Sequence, residues 1–240
     1  MSGLEPNLQG SVRAVLTDIE GTTTPLSFVH DVLFPYARRR LDAACASGEE
    51  RFAESLRLLR AEYQAEKGDL TGFGDGAPYA HALMDRDRKS TGLKMLQGLL
   101  WEEGYRSGEL KGQVYPDVAA ALRVWKEQGI RARVFSSGSV LAQKLIFGYS
   151  DQGDLLPYFE GFHDTTTGAK QNPESYRAIA EAFHLPPQEI LFLSDVVAEL
   201  DAAREAGMQT GFFVRPGNKP ADAGEHPEYR SFEALTPRPP

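Results

Sequence analysis

The chain has 240 residues, of which 41% are hydrophobic and 25% are charged. This composition is typical of a globular protein and excludes an intrinsically disordered one. Its 26 basic and 34 acidic residues give a formal net charge of −8, which argues against binding to nucleic acid or to an anionic membrane surface. The single cysteine, Cys45, excludes an internal disulfide framework.

The sequence shows neither a membrane-spanning segment nor a signal peptide, and both observations bear on where the protein is located in the cell. No apolar run reaches the roughly 18 residues that a membrane-spanning helix needs. The first ten residues lack the basic and apolar regions of a signal peptide. We therefore expect a cytoplasmic protein without a membrane partner, and we expect it to be a monomer.

Short, almost wholly apolar segments that end in small polar residues predict buried strands. Apolar residues at helical spacing lie between the later segments, for example Val118, Leu122 and Trp125. Buried strands that alternate with helices are typical of a parallel sheet with helices on both faces. We therefore predict an α/β fold with a Rossmann-like parallel sheet, whose strands include residues 12–18, 131–136, 190–194 and 210–214.

Residues 24–112 do not follow this alternation. Their apolar positions have helical spacing only, as in the series Val29, Leu33 and Tyr36. We predict that residues 24–112 form an inserted α-helical cap and that residues 1–23 and 113–240 form the Rossmann-like core.

Two segments of low regularity are interpreted more simply. The glycine-rich stretch 68–76 could cradle a phosphate, but no strand precedes it and no Gly-Lys-Ser/Thr follows it, which favours a connecting loop. The stretch from Pro216 onward holds six of the 15 prolines. It is predicted to be a loose or surface-hugging tail.

Carboxylates follow two of the predicted strands directly. Asp18 and Glu20 follow the first strand, and Asp195 follows the strand 190–194, with Glu199 four residues later. Ligands of open parallel sheets bind at the carboxyl ends of the strands, so these acids are expected to meet. Any one of them alone could be a helix cap or a solvated loop residue, but several together repel one another unless a cation binds them. Oxygen ligands favour Mg²⁺, and we predict a magnesium site formed by Asp18, Glu20 and Asp195.

Two further segments have the residue types of an anion site. Ser136, Ser137 and Gly138 lie between a predicted strand and a helix, where hydroxyls and a glycine amide could hold phosphate oxygens. A turn that ends in a Ser139 helix cap explains them equally well. Lys170 precedes an expected Asn172 cap with proline after it, and its ammonium either points into the sheet edge or lies in solvent.

In chain order, these segments resemble the four motifs of the haloacid dehalogenase-like phosphohydrolases. Asp18, Ser136, Lys170 and the pair Asp195 and Glu199 fall on those motifs, except that the family's second aspartate is Glu20 here. With this glutamate, the segment 18–25 is similar to that of the enolase-phosphatases (acireductone synthases) of methionine salvage, as is the cap segment 87–101.

The resemblance implies a bifunctional, Mg²⁺-dependent enzyme that acts on a small phosphate ester. It would enolise 2,3-diketo-5-methylthiopentyl 1-phosphate and then remove the phosphate to give acireductone. Asp18 would be the nucleophile that forms an aspartyl-phosphate, and Glu20 the general acid and base, with a possible second role at the metal. Glu199 would orient Lys170 or a metal-bound water.

The resemblance leaves the residues of the enolisation step open. Glu20 and a cap residue are candidates for the base, while His30 and His81 are more simply explained as structural or surface residues. An apolar pocket for the thioether could be lined by Phe28, Leu33 or Trp101, which core packing explains as well.

Two alternative functions are weighed against this one. A phosphatase for another small ester, or a phosphomutase, would use the same core with a different cap. A non-catalytic receiver module also has Asp, Ser/Thr and Lys at strand ends, but its accepting aspartate follows a middle strand and it has no place for a cap of about 90 residues, which an enzyme uses to exclude water.

Overall fold

The computed structural model describes residues 12–236, so the N-terminal segment on which the signal-peptide prediction rests lies outside the described residues. The described residues form two compact units. The first contains the residues up to Phe28 and those from Lys111 onward, and the second is Val29–Leu110. The assignment of a core and a cap, with its boundaries, stays a prediction.

The first unit contains a six-stranded, all-parallel sheet in the order β3-β2-β1-β4-β5-β6. Successive strands are added on one side of β1 up to β3 and on the other side from β4 onward, which confirms the predicted Rossmann-like α/β fold. The strands are β1 (Ala14–Thr17), β2 (Arg131–Phe135), β3 (Gly161–His163), β4 (Ile190–Ser194), β5 (Gln209–Phe213) and β6 (Glu228–Tyr229).

Eight α-helices are present in the described part of the chain. Four lie in the second unit: α1 (Phe34–Ala46), α2 (Glu50–Lys67), α3 (Ala77–Asp85) and α4 (Thr91–Ser107). Four lie in the first unit: α5 (Pro116–Glu127), α6 (Val140–Gly148), α7 (Pro173–Phe183) and α8 (Val197–Glu205). None of the helices within residues 12–236 has the length and apolar character needed to cross a membrane.

The central strands are completely buried, as their apolar sequences predict. All residues of β1 and β4 are buried, because neighbouring strands cover their edges and helices cover their faces. One core cluster joins the sheet to the apolar face of α7, where Tyr176 packs edge-on against Phe135 and also contacts Phe192. This packing fixes the ends of β1, β2 and β4 relative to one another.

The second unit differs from its prediction in two places. Val29 and Leu33 do not share one α-helix with Tyr36, because a π-helical turn at Phe28–Leu33 precedes α1. Helix α3 was not predicted, because its short sequence follows the glycine-rich stretch and carries only one turn of apolar spacing. The stretch 68–76 is the connection between α2 and α3, as predicted.

The segment 87–101, which resembles that of the enolase-phosphatases, has a packing role. Helix α4 begins at an N-cap, Ser90, whose hydroxyl accepts from the Leu93 amide at 3.0 Å. At Gly92 a Cβ would lie 2.7 Å from the Leu59 backbone nitrogen, so only glycine allows α4 to approach α2 this closely.

Cys45 is buried, and burial raises the pKa of its thiol to about 11, which makes it unreactive.

The segment from Pro216 was predicted to be a loose or surface-hugging tail, and the structure shows that it is not loose. The chain adds β6 to the edge of the sheet, and Phe232 and Leu235 are fully buried beyond it. The indole nitrogen of Trp125 donates to the Leu235 carbonyl at 3.0 Å. The prediction rested on proline content alone and did not consider the apolar residues Phe232 and Leu235, which pack this segment against α5.

Candidate active site

Three of the predicted residues meet directly at the carboxyl ends of β1 and β4. Asp18 is the first residue after β1, and its backbone amide donates to the Leu193 carbonyl at 2.9 Å. Lys170 Nζ lies 2.7 Å from Asp18 Oδ1 and 2.6 Å from Glu199 Oε2. The side chains of Asp18 and Lys170 are 7% and 8% exposed, so this is a nearly buried triad with one cation between two carboxylates. Lys170 therefore does not lie in solvent.

Hydrogen bonds from neighbouring hydroxyl groups fix Lys170 and Glu199 of the triad. The Tyr176 hydroxyl donates to the Lys170 carbonyl at 2.6 Å, and the Ser194 hydroxyl donates to Glu199 Oε2 at 3.0 Å. Asn172 caps α7 with its side chain, and Pro173 is the first helical residue, as predicted. Sequence reasoning missed Tyr176 as a site residue because its place in the apolar periodicity of α7 marks it only as core.

Asp195 directly follows β4 and packs against the turn that follows β1. Gly21 has a φ of +71°, and a Cβ there would overlap the Asp195 carboxylate. Only glycine at residue 21 therefore allows this carboxylate to sit against the turn. Because β1 and β4 are neighbours in the sheet, Asp195 and Asp18 occupy adjacent strand ends.

Burial and mutual repulsion shift the pKa values of the charged groups at this site. Burial raises the pKa of Asp195 to about 7, and the negative charges of Asp18 and Glu20 add to this. Burial also raises the pKa of Glu199 to about 7, with Asp18 adding to the effect and Lys170 opposing it. For Lys170, burial lowers the pKa, but the two carboxylates outweigh this and the pKa is raised above its ordinary value. The lysine is therefore charged at neutral pH.

The serine segment lies after β2, on the other side of β1. Ser136 is buried, its amide donates to the His163 carbonyl at 3.1 Å, and its hydroxyl accepts from the Gly138 amide at 3.3 Å. Ser137 is exposed. The Ser139 hydroxyl caps α6 by accepting from the Ala142 amide at 3.3 Å. The segment is a capped turn, as one interpretation predicted, and it lies at the same edge of the sheet as Asp18. Its role as an anion site stays a prediction.

The donor groups at this edge fit a magnesium ion. No group of three or more His, Cys, Asp or Glu side chains within residues 12–236 is already arranged as a metal site. Mg²⁺, however, binds proteins through one or two carboxylates and fills its other positions with water and substrate phosphate. Asp18 and Asp195 supply two such carboxylates, and a cation would favour the charged form of Asp195, whose pKa is raised first by burial and then by the Asp18 charge.

The residues that were considered for the enolisation and thioether sites make contacts within their own units. His81 Nε2 lies 3.2 Å from Asp42 Oδ1, and His30 is exposed on the π-helical turn. The indole nitrogen of Trp101 donates to the Leu33 carbonyl at 2.8 Å inside the second unit. Phe28 belongs to the first unit, where it is 1% exposed.

A titratable group near the serine segment leads to a prediction of pH-dependent stability. His163 lies at the end of β3, with its Nε2 3.3 Å from Arg133 Nη1 and its Nδ1 3.4 Å from the Thr167 hydroxyl. Burial and the Arg133 charge lower its pKa to about 4, and Asp164 opposes them weakly. Unfolded histidine has a pKa of about 6.5, so the stability that His163 contributes is present above about pH 6.5 and lost as the pH falls towards 4.

Between pH 7 and pH 4.5, the unfolding free energy of the wild type should fall by about 2 kcal/mol more than that of His163→Gln, allowing for partial solvent screening. Urea unfolding at both pH values measures this. His30→Gln, at an exposed histidine, is the control and should follow the wild type. Equal pH dependence in wild type and His163→Gln would show that His163 is not the group responsible.

Comparison with known proteins assigns the family. A family model described as a haloacid dehalogenase-like hydrolase matches residues 12–207. The enolase-phosphatase E1 of Methylococcus capsulatus is 52% identical over 228 residues, covering 94% of this chain and 98% of the relative. That of Parvibaculum lavamentivorans is also 52% identical, over 229 residues, covering 94% and 95%.

Solved structures agree with this assignment. The UTR4 protein of Saccharomyces cerevisiae has a TM-score of 0.78 and 35% identity, and the match covers 93% of this chain and 100% of that one. The CbbY structure from Rhodobacter sphaeroides, with a TM-score of 0.56 and 20% identity over 92% of this chain and 95% of that one, shares the fold.

The chain belongs to the haloacid dehalogenase-like hydrolases. Within that family it belongs with the enolase-phosphatases of the E1 type, at about half identity over nearly its full length. It is therefore an enzyme, a hydrolase of the phosphatase kind.

Proposed function

We propose that this chain enolises 2,3-diketo-5-methylthiopentyl 1-phosphate and then hydrolyses its phosphate ester to give acireductone in methionine salvage. The relatives named enolase-phosphatase E1 support this substrate. The observation that carries the phosphatase half is the buried triad of Asp18, Lys170 and Glu199 beside Asp195, at the carboxyl ends of β1 and β4.

In the phosphatase half, the Asp18 carboxylate attacks phosphorus and the bond from phosphorus to the substrate oxygen breaks. The Glu20 carboxyl donates a proton to the departing oxygen, and the product leaves as an alcohol or enol. Glu20 then takes a proton from water as that water attacks the aspartyl-phosphate, which regenerates Asp18 and releases inorganic phosphate. Two displacements replace one difficult hydrolysis.

The positive and hydrogen-bonding groups hold the phosphate during both displacements. The Lys170 ammonium lies between Asp18 and Glu199, and in this proposal it stabilises the charge that accumulates on the non-bridging oxygens. The hydroxyls of Ser136 and Ser137 and the Gly138 amide supply further donors after β2. Phosphoryl transfer depends mainly on such positioning and charge neutralisation.

A resident Mg²⁺ ion would be held by Asp18, Asp195 and Glu20. Haloacid dehalogenase-like hydrolases and enolase-phosphatases generally use Mg²⁺. When bound, the ion neutralises charge between the phosphate and the nucleophile's carboxylate and polarises the substrate oxygens. The ion would also favour the charged form of Asp195, because burial raises the pKa of this carboxyl to about 7.

The test is turnover of the diketone phosphate with and without metal. We expect an enolate absorbance that rises and then falls as inorganic phosphate appears, loss of both signals with EDTA, and recovery with added Mg²⁺. Phosphate release that is indifferent to EDTA and to Mg²⁺ would contradict the metal assignment. Phosphate release from other small esters but not from the diketone phosphate would contradict the substrate assignment.

A further inference from the structure

The turn that presents Asp18 and Glu20 is closed on itself by main-chain hydrogen bonds. The Ile19 carbonyl accepts from the amides of the next threonines, with distances of 3.2 Å to Thr22, 3.0 Å to Thr23 and 2.9 Å to Thr24. The Thr23 hydroxyl also donates to the Asp18 carbonyl at 3.2 Å. The turn is therefore a rigid unit, and contacts that fix its position also fix the position of Asp18.

Three consecutive carbonyl groups on the outside of this turn accept hydrogen bonds from residues that are distant in the sequence. Asn218 Nδ2 donates to Gly21 at 2.9 Å, Arg215 Nε to Thr22 at 3.1 Å, and the Tyr115 amide to Thr23 at 3.0 Å. Two of the three donors are side chains of the segment that follows β5. This segment is the one that proline content suggested to be a loose tail.

Arg215 is itself firmly fixed. Its guanidinium lies 2.8 Å from the Asp117 carboxylate, donates to the Arg230 carbonyl at 3.1 Å and stacks 4.2 Å from the centre of the Tyr115 ring. The residue is 7% exposed, so the Asp117 charge balances a buried cation. Asp117 also accepts from the Phe232 amide at 2.8 Å, which ties the ion pair to the C-terminal segment.

The position of the turn determines how Asp18 faces Asp195. A Cβ at Gly21 would overlap the Asp195 carboxylate and would lie 2.9 Å from Asn218 Oδ1, so both side chains pack against the same glycine. A shift of the turn would therefore change the spacing of two carboxylates that the proposed chemistry needs at a fixed separation. Displacements of about 1 Å at a reacting group can lower rates about 100-fold.

We propose that Arg215 and Asn218 are positioning residues that hold the turn carrying Asp18 and Glu20. Neither side chain touches the reacting atoms in this assignment; each acts through a main-chain carbonyl of the turn. Their effect on catalysis rests on the proposed function, whereas their effect on the turn does not.

Two variants test this role. Arg215→Lys keeps the charge that balances Asp117, but a single ammonium cannot reproduce the planar fork that reaches both Asp117 and the Thr22 carbonyl. Asn218→Ala removes the donor to Gly21 and leaves the ion pair intact, so it also serves if Arg215→Lys does not fold. We expect kcat to fall about 100-fold and about tenfold, respectively, with KM changed less than about threefold.

Hydrogen–deuterium exchange of the peptide that contains residues 18–24 gives a readout that does not depend on activity. We expect its amides to exchange faster in both variants, while peptides from β4 and α7 exchange as in the wild type. Arg204→Lys is the matched control, since Arg204 forms surface ion pairs with Asp201 and Glu225 in the same unit. It should change neither kcat nor exchange.

Unchanged exchange of residues 18–24 in both variants would overturn the proposal. A loss of kcat that is matched by equally faster exchange throughout the first unit would also overturn it, because the residues would then be merely structural. If the wild-type protein itself releases no phosphate from the diketone phosphate, the proposed function fails. Hydrogen–deuterium exchange of residues 18–24 then still decides whether Arg215 and Asn218 hold the turn.

Discussion

Asp18→Asn should abolish phosphate release, with kcat lowered by about 10⁴-fold or more, while the protein stays folded. An asparagine amide cannot attack phosphorus to form the covalent intermediate, and the remaining groups only bind and polarise the ester. The change also removes one negative charge from the crowded edge of the sheet, and the Asp18 charge raises the pKa of both Asp195 and Glu199. We therefore expect thermal unfolding at the wild-type temperature or slightly above it.

Released phosphate and acid-quenched covalent phosphate together measure this effect. The wild type should yield an acid-stable, hydroxylamine-sensitive phosphoprotein during turnover, and Asp18→Asn should yield none. Asp222→Asn is the control, because Asp222 lies in an exposed loop where either side chain can accept from the Gly224 amide. Phosphate release by Asp18→Asn at a rate near that of the wild type would remove Asp18 from the role of nucleophile.

Lys170→Met should lower kcat about 1,000-fold and also destabilise the first unit in a pH-dependent way. The loss of one preorganised donor to a developing negative charge typically costs 100- to 1,000-fold, and this donor is a full charge. Removal of one partner from a buried ion pair costs about 3–5 kcal/mol when the other partner stays charged. Here Lys170 lies between two carboxylates, Asp18 and Glu199.

The pH dependence follows from the direction of the pKa shifts. Lys170 lowers the pKa of Glu199, so without the lysine this pKa rises further from about 7 and the carboxyl is protonated at neutral pH. The variant should therefore lose little unfolding free energy at pH 6 and about 3 kcal/mol at pH 8.5, where the carboxylates must be charged. Urea unfolding at the two pH values measures the difference.

Lys111→Met is the control for the lysine change, because Lys111 is exposed in the same unit. It should leave both turnover and unfolding free energy within experimental error of the wild type. If Lys170→Met were equally stable at pH 6 and pH 8.5 and retained wild-type turnover, the ammonium would not have the electrostatic role assigned to it.

The parts of the fold that were predicted correctly are those with long, uninterrupted apolar patterns. Strands β1, β2, β4 and β5 were all recognised in this way. Strands β3 and β6 were missed because they contain three and two residues, too few for any periodicity.

The alternation of apolar strands with helices predicted the α/β class, and residue types at strand ends predicted which carboxylates gather at one edge of the sheet. The phosphatase family followed from the resemblance of the motifs. Such signals are local: a carboxylate after an apolar strand is visible within a few residues, and its neighbours follow from the rule that parallel strands end at one edge. Asp18, Ser136 and Asp195 were predicted in this way, whereas Lys170 was predicted from its place just before the N-cap of α7.

The pairing of these side chains depended on the strand order, which brings β4 beside β1 and places Lys170 between Asp18 and Glu199. The hydrogen bonds from Arg215 and Asn218 to the turn after β1 were likewise visible only in the folded chain. Both side chains bind main-chain carbonyl groups, and every residue has such a group, so no pattern of residue types marks the contact.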